Sequence, residues 1–181
     1  VMAPEKLRAM VEAGTRSVEA YDAYLQGFAL GRKGLDGGNL SYARQSREAF
    51  ERARTIDPQF AAAHWKAAET WFGSVTRTDA RSVPEGLSYE DLLAGYFERV
   101  DAAIATSRDE TEKIRYMAAR EVFSMNPKKA LAYMSRFVEE RPRDIDAWDE
   151  LSRIAAYSAD LGAMARAADR MHAIAIENDM P

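Results

Sequence analysis

Pro142-Arg143-Asp144-Ile145-Asp146-Ala147-Trp148-Asp149-Glu150-Leu151-Ser152 opens a segment that repeats the one before it. Set against itself at an offset of 34 residues, the chain pairs 111–144 with 145–178 as two gapless units. Each unit reads as a helix, a short turn and a second helix, the turn of the second unit falling at Asp160-Leu161-Gly162. Outward from this point the helical signal continues. Apolar residues recur at i, i+3 and i+4, as in Phe97, Val100, Ile104 and in Leu131, Met134, Phe137, Val138. Alternating β-branched runs are too short for strands. Asp57-Pro58 and Asn126-Pro127 each set a capping residue before a proline suited to a first helical turn. Ser88 to Asp91 and Asp109 to Glu112 read as capping boxes.

The N-terminal half carries the same theme with insertions. Arg47-Glu-Ala-Phe50-Glu-Arg-Ala53-Arg-Thr-Ile-Asp57-Pro58 has the character of a second helix, and Phe60 to Trp71 that of a first helix whose partner is 88–107. The spacing predicts nine helices, at about 4–13, 17–34, 40–56, 59–73, 88–107, 110–124, 127–140, 144–158 and 161–177. They group into an N-terminal helix and four pairs, 17–58, 59–108, 111–144 and 145–178, in one domain spanning 1–181. Breaks are expected at 34–39 and at 74–87, the longest connection. Small residues at fixed sites (Ala53, Ala68, Ala103, Ala118 and Ala130) let antiparallel helices approach closely. One pair cannot bury its own apolar face, so about three are needed for a stable stack.

Trp148, Leu151 and Ser152, with Ala118 and Ala130 in the preceding unit and Pro142 closing it, resemble the tetratricopeptide repeat. Ala155 stands where that pattern has a tyrosine. The resemblance implies an all-α right-handed superhelix of antiparallel helix pairs whose first helices line a concave groove for a protein or peptide. Carried onto this chain, the groove positions are Tyr21, Tyr24, Phe28 and Arg32, then Trp65, Glu69 and Phe72. The third pair adds Arg115, Tyr116 and Phe123, and the fourth Asp149, Arg153 and Tyr157. Aromatics and arginines dominate binding hot spots. The lysine–asparagine clamp with which some members hold a terminal carboxylate is missing, since those positions read Tyr24 and Phe28. An extended or helical apolar peptide with some charge suits such a groove better. A narrower resemblance runs from Thr15 to Gly27 and through Phe50 to Ala61. It is to the C-terminal repeat region of bacterial winged-helix transcriptional regulators and nucleotide cyclases, and implies a regulatory or ligand-sensing role as the alternative.

Composition bounds the chemistry. With 181 residues and no cysteine, the chain has no disulfide framework, thiol nucleophile or cysteine-held metal. A net charge of −4 and scattered arginines argue against nucleic acid as the partner of this segment. The two histidines, His64 and His172, read as a packing residue and a helix-end residue. His64 with Glu69 supplies at most two metal ligands, so no metal and no cofactor is expected, and the acidic clusters read as solvated helix faces. Five glycines fall between Gly27 and Gly38, but Gly34-Leu35-Asp36-Gly37-Gly38 lacks a preceding strand and a Gly-Lys-Ser/Thr sequence, and reads as a turn between two helices with a glycine C-cap. An active site using His64 or Glu69 is the enzymatic rival; the reading favoured is a non-catalytic scaffold. No apolar run is long enough to span a membrane, and a cytoplasmic setting is expected, with homo-oligomerisation left open. Val1 leading into Pro4-Glu5-Lys6-Leu7 suggests a segment of a larger protein.

Overall fold

The computed structural model describes residues 4–37, 40–76 and 86–178, the side chains of 35–37, 40 and 72–76 excepted. Among the described residues every regular element is a helix: α1 (Pro4–Glu12), α2 (Val18–Gly37), α3 (Leu40–Ile56), α4 (Ala61–Thr76), α5 (Tyr89–Thr106), α6 (Glu110–Phe123), α7 (Pro127–Glu140), α8 (Ile145–Tyr157) and α9 (Leu161–Glu177). The fold is all-α, as the periodicity requires. Most of the 74–87 connection, and Gly38 and Asn39 of the break at 34–39, lie outside the described residues.

The chain divides into two compact units, Val1–Arg108 and Asp109–Pro181. In the first unit α2 packs along α3 and α4 along α5, and α3 joins the pairs through α4. In the second, α6 packs along α7, α8 along α9, and α7 meets α8. These are the predicted pairs, stacked in the manner of a helical repeat. Ala53, Ala68, Ala103, Ala118 and Ala130 have no exposed surface, so the small-residue sites are contact sites. The core of the second unit gathers Ile114, Met134, Phe137, Val138, Leu151 and Ile154 around Ala118, Ala130, Ala147 and Ala167.

The offset of 34 reappears in the backbone. Among the described residues, Met125 and Ala159 are the non-glycine residues with left-handed φ, at 59° and 55°. After Met125 the N–H of Asn126 reaches back to the carbonyl of Glu121, and after Ala159 that of Asp160 to Ala155, both at 3.0 Å. Each bond ends a first helix with the same left-handed turn, which satisfies carbonyls that the helix leaves open.

Three local expectations need correction. α2 runs on to Gly37, three residues past its expected end and into the stretch read as a turn, with Gly27 and Gly31 inside the helix as expected. A Cβ on Gly27 would lie 2.5 to 2.7 Å from three ring atoms of Phe50, and Ser46 Oγ donates 2.7 Å to the Gly27 carbonyl. α4 begins at Ala61, two residues late, because Asp57 organises a turn first, accepting from the N–H groups of Gln59 and Phe60 at 3.0 Å. Asn126 makes no side-chain cap; its amide donates instead to Glu121. Ser88 does form a reciprocal capping box with Asp91, and Asp109 caps Thr111 and Glu112.

Candidate functional site

In the first unit, α2 and α4 bring Tyr24, Phe28, Lys66 and Glu69 together. Tyr24 is the hub. Its ring lies 4.9 Å from Phe28, nearly perpendicular, 5.7 Å from Phe50 and 4.9 Å from Phe60. Phe28 also meets Phe50 edge-on at 5.4 Å, yet keeps 40% of its surface exposed. Edge-to-face pairs of this kind hold a ring in one orientation, so Phe28 is a rigid aromatic surface. The ammonium of Lys66 stands 5.3 Å from the Phe28 centroid and pairs with Glu69 at 2.5 Å. The sequence pointed to Tyr24, Phe28 and Glu69 but missed Lys66. Its only signal was a cation three residues before Glu69.

Other positions fall differently. Tyr21 and Trp65 are buried, at 8% and 6% exposure, and Tyr21 closes a core cluster with the small side chains of Ala20, Ala23 and Ala63. As core side chains they correct the expectation of groove-lining residues. Arg32 is exposed one turn beyond Phe28. The side chain of Phe72 lies outside the described residues.

In the second unit, Arg115 on α6 reaches Glu150 on α8 at 2.9 Å, both side chains largely buried, with its guanidinium 5.7 Å from the Phe137 centroid. Glu150, expected with the other acidic residues on a solvated helix face, is instead paired and largely buried; the repeat carries the signal, since residue 150 is one step from the equivalent of Arg115 in the next unit. Asp149 and Arg153 pair at 3.1 Å on an open helix face, and Tyr157 is 67% exposed. Phe123 is half-buried, whereas Tyr116, at 3% exposure, is another core ring and a second correction.

His64 is 5% exposed. Its Nε2 lies 3.0 Å from the Pro58 carbonyl, which can only accept, so Nε2 carries the proton; Nδ1 is buried with no hydrogen-bond partner among the described residues. Burial pushes its pKa down and keeps the ring neutral. Glu69 is held by Lys66 rather than directed to His64. Among the described residues no group of three or more metal-ligating side chains occurs, and no helix is long and apolar enough to cross a membrane.

No known protein-family model matches the chain, and no curated protein is similar to it.

Proposed function

We propose that the chain is a non-catalytic protein- or peptide-binding module of the tetratricopeptide kind. The observation that carries this reading is Phe28: a large aromatic ring fixed by Tyr24 and Phe50 and still two-fifths exposed. Leaving such a ring in water forgoes part of the roughly 1.5–3 kcal/mol that its full burial contributes. A rigid aromatic anchor, by contrast, binds at low entropic cost. Stacked helix pairs with fully buried alanines at the small-residue sites support the repeat assignment. The turns at Met125 and Ala159, 34 residues apart, support it too.

The test is capture of a partner from the native cell with the wild-type chain and with Phe28→Ser. The expected result is loss of capture with an unchanged helical circular-dichroism spectrum. Equal capture by both proteins would remove the face around Phe28 from the binding surface.

A further inference from the structure

The exposed stripe of α2 shows what kind of peptide fits this face. Leu25 and Phe28 stand 43% and 40% exposed one turn apart. Arg32 follows Phe28 by four residues, and Lys33 follows Gln26 by seven, so all lie along one side of the helix. From α3, exposed Arg52 donates to Oε1 of the Gln26 side chain at 2.5 Å, which fixes a third cation over the same stripe through a neutral group. None of these three cations enters an ion pair among the described residues. Three acids near the stripe pair with other cations: Asp22 with Lys6 at 2.6 Å, Glu48 with Arg44 at 3.9 Å and Glu69 with Lys66.

On this charge complementarity we infer that the α2 stripe takes an acidic peptide segment, its apolar or aromatic side chain seated on Leu25 and Phe28 and its carboxylates on Arg32, Lys33 and Arg52. The inference rests on the peptide-binding reading and adds the chemistry of the partner. Two arginines in the set favour carboxylates, which a guanidinium grips in bidentate fashion. An anionic membrane fits less well. Stable lipid attraction draws on clusters of about four to eight basic residues or a broad apolar helix face, whereas here two apolar side chains adjoin three cations.

The experiment selects a random dodecapeptide display library against the intact chain. The enriched peptides are then measured by fluorescence anisotropy against wild type, Arg32→Glu/Lys33→Glu and Phe28→Ser. The enriched peptides should be net acidic with an aromatic or leucine anchor. The double charge reversal should weaken them at least about tenfold, and raised salt should weaken wild-type binding. Peptides without acidic preference that lose binding only with Phe28→Ser would overturn the acidic-partner inference and leave peptide binding standing. No enrichment, or binding indifferent to both variants, would overturn both. Cosedimentation with phosphatidylserine vesicles, abolished by the charge reversal and without acidic-peptide enrichment, would transfer the stripe to lipid and overturn the inference.

Discussion

Gly27→Ala sets two known effects against each other at one atom. In an open helix interior, alanine in place of glycine adds about 1 kcal/mol of stability. At position 27 the new methyl would meet Cε1, Cδ1 and Cζ of Phe50 at 2.5, 2.7 and 2.7 Å. Phe50 is 3% exposed and its ring is boxed by Tyr24 and Phe28, so it cannot swing aside cheaply. To restore van der Waals contact, ring and helix must separate by close to an ångström, and overpacking of this kind costs about 1–3 kcal/mol. Gly34 is the internal control, because its Cβ would find its nearest atoms at 3.5 Å, an ordinary contact. Gly34→Ala should therefore keep the propensity gain, while Gly27→Ala should lose stability. A gap of about 2 kcal/mol moves a urea midpoint by roughly 1 M. Urea titration followed by tryptophan fluorescence in a Trp148→Phe background reports the first unit alone, since Trp65 and Trp71 both belong to it. A Gly27→Ala midpoint at or above that of Gly34→Ala would refute the close-approach role of α2. Phe50→Leu gives a second check. In the Gly27→Ala background it should cost less than alone, by a coupling of about 1 kcal/mol.

Further outcomes follow from the same geometry. His64 is held below its ordinary pKa, so between that value, about 6.5, and the lower folded value the unfolded chain binds more protons. Stability of the first unit is complete above this window and falls as pH drops through it. His64→Gln should flatten that slope in urea midpoints measured from pH 7.5 to 5; an unchanged slope would reject the assignment. Met125→Gly and Ala159→Gly relieve left-handed backbone that costs a side-chain-bearing residue about 1 kcal/mol. Each should raise the midpoint of the second unit, read from Trp148 fluorescence, and a loss in both would contradict the turn geometry.

Periodicity and the 34-residue offset made the helices and their pairing legible. Five alanine sites could be placed from spacing alone, because a fully buried contact between helix pairs leaves room for little else. Helix ends were harder. Gly34 looks like a helix end in sequence, yet α2 continues to Gly37. Of the candidate site, Tyr24, Phe28 and Glu69 were expected as groove positions from the repeat resemblance, and α2 and α4 bring them together. Tyr21, Trp65 and Tyr116 were not separable from them by type, because an aromatic at helical spacing serves core and surface alike. Side-chain partners from other helices, such as Lys66 over Phe28 or Arg52 on Gln26, leave almost no trace in a single sequence.

Chemical-shift mapping on isotopically labelled protein, titrated with an acidic apolar peptide recovered by selection, addresses the binding face most directly. Resonances of Leu25, Phe28 and Arg32 on α2, and of Lys66 on α4, should shift together and saturate at one affinity. Shifts that leave these residues still and gather elsewhere in the chain would contradict the assignment of this face as the binding surface.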